Sequence, residues 1–425
     1  MMLALLLLQL AVADSIPSIT LQEALRRSVR HDPEYVLASG AVGNAEWARR
    51  AARSSLFLPS VSAQTDASRF SAPTFNLGTA TPQEVAVSAR IDARYDLFLG
   101  GRKLAELRRS RAELARAEAG ELEARFGVSL RTERDYYQVL ADEELTRVAR
   151  ERVRRAEEQL VVARARVTSG AAVQTDSLQL RLELSQARVA LLEQAAALRV
   201  SRLQLGRRVG FDGPAQPVAI DSLPPADLPI TIAQAVAEAR DRGPAFVAAR
   251  ASEAAAEAFV RAQRGGYFPQ ISLFASSSAF DDRYFPQATR RSSLTFSVAL
   301  PIWNNGQREV ALEEARVRRD VARVTQRDIQ RAAERDLTEA YEAYSVSRAT
   351  VELRREALLV ARENYRVQDT RYKAGAALIL DLLAAQEQLT EAEANLVEAQ
   401  FAARLALAQL EAILGRRLFT DRISP

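Results

Sequence analysis

The stretch EVAVSARIDARYDLF, residues 84–98, decides the fold of this chain. Its alternate positions from Val85 to Leu97 are apolar, and the positions between them from Ser88 to Asp96 are serine, arginine or aspartate. Strict alternation of this kind predicts a β-strand with one apolar and one polar face. Most of the remaining sequence has helical periodicity, so the strand raises the question of what its polar face meets.

The composition is that of a chain dominated by long helices. Hydrophobic residues make up 48% of the 425 residues and charged residues 26%, whereas aromatic residues are only 6%, as is typical of coiled coils. The net charge is +4, but basic and acidic residues alternate along helical segments such as 143–159. This pattern favours solvated helix faces over a basic stripe, so no nucleic-acid partner is expected.

The residue types that carry catalysis or hold metals are scarce. The chain has no cysteine and one histidine, His31, which excludes thiol chemistry, disulfides, cysteine-ligated zinc and histidine-rich metal sites. No nucleophile–base pair, phosphate-binding loop or metal cluster stands out in the sequence. We therefore expect no enzyme activity and no cofactor.

The N-terminus has the pattern of a secretory signal peptide. Residues 3–12 form a short apolar run, and Ala11-Val12-Ala13 supplies a small-residue cleavage pattern. The run is too short to span a membrane, and no later segment approaches about 18 uninterrupted apolar residues. Residues 1–13 are therefore predicted to be a signal peptide, and no transmembrane helix is expected after them.

The remainder of the chain is an internal duplication. SITLQEALRRSVRHDPEY, from Ser18, matches PITIAQAVAEARDRGPAF, from Pro229, and VTSGAAVQTDSL (167–178) matches YKAGAALILDLL (372–383). After the latter motifs, apolar residues recur every seven positions in both copies, which predicts a coiled-coil seam. The seam residues are Leu184, Leu191, Leu198 and Leu205, and then Leu389, Leu396, Ala403 and Leu410.

Both copies are predicted to contain the same elements in the same order. Two helices come first, two strands follow, and a very long helix ends at a glycine turn before a return helix. In the first copy these elements are predicted at 20–31, 34–55, 58–70, 84–98, 102–168 and 176–209. In the second copy they are predicted at 231–242, 245–264, 267–279, 292–302, 307–373 and 381–414. The domain boundaries follow as a first repeat at 14–210, a Pro-rich linker at 211–229, a second repeat at 230–415 and a tail at 416–425.

The predicted strands have the dimensions of membrane strands. Each is close to the roughly 9 to 11 residues that a tilted strand needs to cross a bilayer. If the apolar faces meet lipid, the sheet must close, because an open edge would leave backbone groups unpaired. Four strands are too few for a closed barrel, whereas two chains would supply eight and three would supply twelve. The polar face of 84–98 is then expected to line a lumen shared by several protomers, although a soluble sandwich with one wet face is not excluded by the strands alone.

Four motifs, in register within the duplicated frame, carry a family resemblance. They are the strand-to-helix turns LFLGGR (97–102) and IWNNGQ (302–307) and the paired glycine-turn motifs at 167–178 and 372–383. With them the chain resembles the TolC-like outer-membrane factors, the exit ducts of tripartite efflux pumps and type I secretion systems. The resemblance implies a mainly α-helical protein with four membrane β-strands per protomer, which forms a homotrimer with a twelve-stranded β-barrel in the outer membrane and an α-helical tunnel in the periplasm.

The resemblance also implies partners and site residues. The partners are a periplasmic adaptor, an inner-membrane pump and outer-membrane lipid. The glycine turns at the periplasmic tip, where an adaptor would dock, contain Gly170 and Gly375. The residues that would hold the tip closed are Tyr372, Asp176, Thr175 and Asp381. The strand-to-helix turns contain Gly100, Gly101, Asn305 and Gly306.

Two residues depart from the family pattern, and two alternative interpretations stay open, one for the aspartates and one for the function. Ala377 stands where some family members place a gate arginine, and Ala384 stands where a second acidic ring would begin. The closed state is therefore expected to be weaker or held differently. Asp176 and Asp381 also suit a helix N-terminus, so both could act as helix caps only. A soluble periplasmic coiled-coil adaptor is the alternative function, since adaptors share helical hairpins and a signal peptide.

Overall fold

A computed structural model describes residues 16–76, 81–219, 227–281 and 289–419. The predicted signal peptide, 1–13, lies outside these ranges, as do parts of the predicted linker and tail. The elements in chain order are β1 (Ser18–Ile19), α1 (Leu21–His31), α2 (Pro33–Ser54), β2 (Ser60–Asn76), β3 (Thr81–Leu99), α3 (Arg102–Thr168), α4 (Gln174–Val209), β4 (Gln216–Pro217), α5 (Ile232–Arg242), α6 (Pro244–Arg264), β5 (Gln270–Asp281), β6 (Thr289–Ala299), α7 (Gln307–Lys373) and α8 (Ile379–Leu414).

The long helices have the predicted bounds. α3 and α7 each contain 67 residues, which corresponds to about 100 Å at the rise of an α-helix. Each helix begins just after a glycine with positive φ and ends just before another, because the left-handed conformation stops helical hydrogen bonding. The predicted seam is also confirmed, since Leu198, Leu205, Ala403 and Leu410 are buried.

The strands differ from their predicted bounds by one to six residues at each end. The C-terminal ends of β2 and β6 both lie near a proline. β6 ends at Ala299 rather than at 302 because Pro301 has no N–H to continue the ladder. β2 continues to Asn76 rather than ending near 70, and it passes Pro73 at an irregularity in register between Arg69 and Thr74. An outer strand tolerates proline at such an irregularity, which the alternation pattern alone does not indicate.

The four long strands form one antiparallel sheet in the order β2-β3-β5-β6. The opening stretch, 84–98, lies in β3 and therefore pairs on both sides. Tyr95 pairs with Leu273, which pairs with Phe296, so the predicted apolar faces coincide across three strands. The opposite face carries arginine, aspartate and serine in the same way, since paired residues share a face. The strand thus belongs to a sheet with one mainly apolar face, which Ser277, Ser292 and Arg290 interrupt, and one largely polar face.

The chain divides into two compact units. The first consists of the described residues of Met1–Ser39, Gly120–Phe246 and Gln330–Pro425. Its core contains a cluster around the fully buried Tyr136, whose hydroxyl donates to the carbonyl oxygens of Val218 at 2.7 Å and Ile19 at 3.3 Å. These carbonyls flank a short parallel ladder between β1 and β4, which the sequence did not predict.

The second unit consists of Gly40–Ala119 and Val247–Ile329 and contains the four-stranded sheet. Its helical part buries a small cluster formed by Val260, Leu312 and Ala315, with Phe259 packed against it. None of the helices in the described ranges is sufficiently long and apolar to cross a membrane.

The strand-to-helix turn at Gly100 predicts a sharp stability effect. Gly100 has φ +61°, and a Cβ there would lie 2.2 Å from the carbonyl oxygen of Gly265. Gly101 has φ +81°, but a Cβ there meets no heavy atom within 4 Å. We expect Gly101→Ala to cost about 1–2 kcal/mol through its left-handed backbone, and Gly100→Ala to cost clearly more. Thermal unfolding of the two purified variants, followed by circular dichroism, compares them, and equal losses would contradict the steric argument.

Candidate functional site

The glycine turns of the two helix hairpins share one local construction. In the first, the N–H groups of Gly170 and Ala171 donate to the carbonyls of Val167 and Arg166 at 3.1 and 2.8 Å. In the second, Gly375 and Ala376 donate to Tyr372 and Arg371 at 3.0 and 2.8 Å. Both glycines are left-handed, with φ +77° and +78°. These are Schellman-type ends, which satisfy the last carbonyls of α3 and α7 before the chain reverses.

The two hairpin ends pack together around a small apolar cluster. The cluster contains Tyr372 at the end of α7, Leu180 near the start of α4 and Leu382 near the start of α8, all at least 99% buried. Alanines of α3, Ala156 and Ala163, complete it and allow close approach of the helices. We call these packed ends, residues 152–184 and 365–393, the tip site.

Among the predicted gate residues, the tip site brings Tyr372 and Asp176 together. The Tyr372 hydroxyl lies 3.5 Å from Oδ2 of Asp176, at the long limit for a hydrogen bond. This contact joins α7 of the second hairpin to α4 of the first. Thr175 is exposed in the first turn of α4, beside Asp176. Asp176 could cap its own helix or contact the other hairpin. Its carboxylate lies against the other hairpin, which favours the contact between hairpins.

Asp381 occupies a different environment from its repeat counterpart Asp176. Its side chain is exposed, and its Oδ2 lies 3.4 Å from the backbone nitrogen of Leu378 at the start of α8. A carboxylate at this position suits the exposed N–H groups and the dipole of a helix N-terminus. The structure thus favours the capping alternative for Asp381.

Polar contacts between the hairpins continue along the tip site beyond the predicted residues. Gln159 of α3 donates Nε2 to the Tyr365 hydroxyl of α7 at 2.8 Å. Arg155 of α3 lies 3.1 Å from the Glu393 carboxylate of α8. Gln386 of α8 donates to Glu183 of α4 at 3.1 Å, and Arg152 lies 2.9 Å from the same carboxylate. Sequence reasoning missed these residues because each resembles an ordinary polar position of a solvated helix.

Arg166 is a further residue that sequence reasoning missed. It is a half-buried residue in the last turn of α3, and it lies against both the ring and the backbone of Tyr372. A sequence signal existed, because the matched motifs begin one residue later, at 167 and 372, and the residues before them are Arg166 and Arg371. Extending the repeat by one position would have identified a repeated arginine.

The strand-to-helix turns form the second group of predicted site residues. Gly100, Gly101, Asn305 and Gly306 all have positive φ, at +61°, +81°, +56° and +76°. Asn305 is the one residue other than glycine with positive φ in the described ranges, and asparagine tolerates that region better than most residues. In the second turn, Arg308 donates to the carbonyl of Pro301 at 3.0 Å and stacks on Tyr267 at 4.1 Å. These turns fix the exit from each strand into a long helix.

The pKa of Tyr372 gives the tip site a pH dependence that can be measured. Burial and the Asp176 carboxylate raise this pKa above the ordinary 10.0, although Arg166 acts in the opposite direction. A tyrosine with a raised folded pKa keeps its full contribution to stability below the ordinary pKa and loses it as pH rises through the higher folded value. We expect the contact of Tyr372 with Asp176 to persist at neutral pH and to weaken as the pH rises through the raised pKa of Tyr372.

Tyrosinate absorption isolates this titration. The difference between the parent protein and Tyr372→Phe is expected to titrate above 10.0, and Asp176→Asn is expected to move it downward because the neighbouring negative charge is lost. A difference signal that titrates at or below the ordinary tyrosine value would contradict the packing of Tyr372 described here.

The tip site holds no candidate metal-binding group in the described part of the chain. No group of three or more histidine, aspartate and glutamate side chains is placed to hold a metal ion in the described ranges. What the site offers is a set of reversible polar contacts between two helix hairpins. Such contacts are suited to separation and re-formation, because water can replace each of them.

A family model, relatives of known function and solved structures all match this chain to the same kind of protein. The model of the outer membrane efflux protein family matches residues 37–210 and 235–416. The chain is 27% identical over 333 residues to the pyoverdine export outer membrane protein OpmQ of Pseudomonas aeruginosa, across 77% of this chain and 68% of OpmQ. It is 28% identical over 427 residues to protein CyaE of Bordetella pertussis, across 95% and 86%. The Campylobacter jejuni CmeC outer membrane channel has the same fold, with a TM-score of 0.80 at 16% identity over 93% of this chain and 85% of CmeC.

Proposed function

This chain belongs to the outer membrane efflux protein family and is an outer-membrane exit duct rather than a soluble adaptor, and we propose that it works as a homotrimer with a gated periplasmic end. In this proposal the duct lies in the outer membrane of a Gram-negative bacterium and extends into the periplasm. A periplasmic adaptor docks at the glycine turns, and an inner-membrane pump supplies the energy. The duct itself has no catalytic step, in keeping with a family of channels.

The sheet is the observation that carries the proposal. It has four strands, with β2 and β6 on the outside, and its apolar face is exposed in the single chain at Leu294, Phe296 and Val298. In lipid the outer strands need backbone partners. Three copies joined edge to edge supply twelve strands, with the apolar face toward lipid and the polar face of β3 toward a shared lumen. The domain arrangement that we propose gives each repeat, 14–210 and 230–415, one strand hairpin and one helix hairpin.

Two exposed apolar stripes support assembly through the helices as well. The α7 stripe comprises Val346, Leu353, Val360 and Val367, spaced seven residues apart and 37–66% exposed. The α4 stripe comprises Leu182, Val189, Ala196 and Leu203, also seven apart and exposed. A seven-residue apolar repeat is the signature of a helix that packs against another helix. We propose that the α4 stripe of one protomer packs against the α7 stripe of the next, a head-to-tail contact that closes into a ring.

The gate follows from the tip site. We propose that Tyr372 and Asp176, with Thr175 next to Asp176 in the chain, hold the hairpins together when the duct is closed. Asp381 contributes by capping the start of α8. The departures at Ala377 and Ala384 support a closed state held by contacts other than an arginine or acidic ring at those positions. The adaptor would dock at the turns that contain Gly170 and Gly375.

The mass of the detergent-extracted chain tests this function. Light scattering with the detergent contribution subtracted is expected to give three protomers per particle. Cell fractionation is expected to place the chain in the outer membrane, and the particle is expected to conduct ions across a planar lipid bilayer. A monomer or dimer that dissolves without detergent would overturn the shared barrel and favour the soluble adaptor.

A further inference from the structure

Two arginines at the tip occupy equivalent positions in the two repeats, and each makes the same kind of contact with its own turn. Arg166 and Arg371 each donate Nη2 to the carbonyl of the residue five positions later, Ala171 and Ala376, and both distances are 3.3 Å. Each arginine therefore stabilises the glycine turn that follows its own helix. This shared contact provides a reference against which any additional contact of either arginine can be judged.

Arg166 also reaches the other hairpin. Its Nη1 donates to the carbonyl oxygen of Tyr372, and its guanidinium carbon lies 4.6 Å from the centroid of the Tyr372 ring. The repeat counterpart of Tyr372 is Val167, so the first hairpin offers no aromatic ring at the matching position to Arg371. Each arginine thus contacts its own turn, but in the part of the chain that the structure describes only Arg166 also has an aromatic partner in the other hairpin.

The environment makes the contact of Arg166 with Tyr372 stronger than an average surface contact. The Tyr372 side chain is 1% exposed, and stacking of a cation on an aromatic ring gains strength where water is excluded. The Tyr372 carbonyl accepts the N–H of Gly375 at 3.0 Å, and a carbonyl oxygen has a second lone pair that can accept from Arg166. A charged donor on that carbonyl is worth more than a neutral one.

The first hairpin therefore holds Tyr372 from two sides. Arg166, at the end of α3, covers the ring face and the carbonyl, and Asp176, in the first turn of α4, lies 3.5 Å from the hydroxyl. We propose that Arg166 is the principal residue that keeps the second hairpin closed against the first, and that the duct opens when Tyr372 leaves this arginine. The inference rests on the proposed function, in which the glycine turns form the closing end of the duct.

Single-channel conductance of the purified trimer tests the inference, with Arg371→Gln as the matched control. Both Arg166→Gln and Arg371→Gln remove one positive charge and one turn contact of the same length, but only the former removes the contact with Tyr372. We expect Arg166→Gln to raise the fraction of time spent open by about tenfold, which is the factor that a partly buried cation–π contact and a charged hydrogen bond readily supply. Arg371→Gln is expected to conduct like the parent protein.

A second variant and a second measurement separate gating from stability. Arg166→Lys keeps the charge but lacks the planar guanidinium, so its open fraction is expected to lie between those of the parent protein and Arg166→Gln. The thermal unfolding transition of the trimer is expected to fall further in Arg166→Gln than in Arg371→Gln, because only the former also loses the contact with Tyr372. Light scattering checks that both variants remain trimers, so that a difference in open fraction reports on gating. If Arg166→Gln fails to assemble, Arg166→Lys decides the question by the same measurement.

The possible outcomes distinguish the two proposals. A parent protein that forms no conducting particle overturns the proposed function. A conducting parent protein with unchanged gating in both Arg166 variants overturns the inference alone. Equal increases in Arg166→Gln and Arg371→Gln also overturn it, since the turn contact would then explain the effect. An increase confined to the Arg166 variants supports it.

Discussion

Val360→Glu is expected to yield a well-folded chain that no longer assembles into trimers. Val360 is 66% exposed in the single chain, so a glutamate there meets water and costs little within one protomer. In the proposed interface the α7 stripe is covered by the α4 stripe of a neighbour. Each of three interfaces would then bury an unpaired carboxylate, at a cost of several kcal/mol each. Light scattering measures the loss of trimer, and circular dichroism checks that the helices remain.

Leu359→Glu is the matched control for this prediction. Leu359 is adjacent, on the same helix, and 62% exposed, but it lies outside the seven-residue series of the α7 stripe. The positions seven residues before and after it are Glu352 and Arg366, so its face of α7 is charged. We expect Leu359→Glu to assemble like the parent protein. Trimers of Val360→Glu as stable as those of Leu359→Glu would show that the α7 stripe is not an interface.

Arg417→Met is expected to be the most destabilising substitution within a single chain. Arg417 follows α8 and forms ion pairs with Glu133 of α3 and Glu411 of α8, whose side chains are only 5% and 4% exposed. Burial opposes the charge of Arg417, but the two carboxylates outweigh it and raise its pKa. Removing the arginine takes a shared cation away from two buried carboxylates, and breaking a buried pair of this kind typically costs about 3–5 kcal/mol.

The adjacent Arg416 provides the control for Arg417. Arg416 pairs with Glu238, and both side chains are more exposed, at 42% and 24%. A pair of this kind contributes at most about 1 kcal/mol, so Arg416→Met is expected to unfold close to the parent protein. Chemical denaturation in detergent, followed by the helical signal, compares the two variants. Adding Glu133→Gln to Arg417→Met should restore part of the loss, and similar losses in the two single variants would contradict the assignment of a buried triad.

The helical frame was predictable because its determinants are local. Glycine stops, apolar periodicity and the duplication fix α3 and α7 to the residue, and the alternation in 84–98 identifies β3. The ladder between β1 and β4 was not predictable, because a two-residue strand in a Pro-rich segment carries no periodic signal and exists only through a distant partner. The end of β6 at Ala299 was missed because alternation was followed across Pro301, where the backbone has no donor.

Only the site residues that the family resemblance implied could be predicted from the sequence. The proximity of Tyr372 and Asp176 came from that resemblance and not from spacing, since the two residues lie in different repeats. The contact between Gln159 and Tyr365 could not be predicted from the sequence. Each occupies a position on a long charged helix, and only the packing of α3 beside α7 turns the two side chains into partners at 2.8 Å.

The pairing of β3 with β5 dictates the order in which the chain can fold after export. Leu99 pairs with Gln270 and Val87 with Asp281, so the centre of the sheet cannot form until most of the polypeptide has emerged. Closing such a long loop precedes any gain from the pairing, which makes contacts of this kind slow to form. During that interval the β2–β3 hairpin has an unpaired edge and an apolar face, the combination that drives aggregation. The β2–β3 edge therefore stays open to other chains until β5 has been made, which makes this interval the stage of folding most exposed to aggregation.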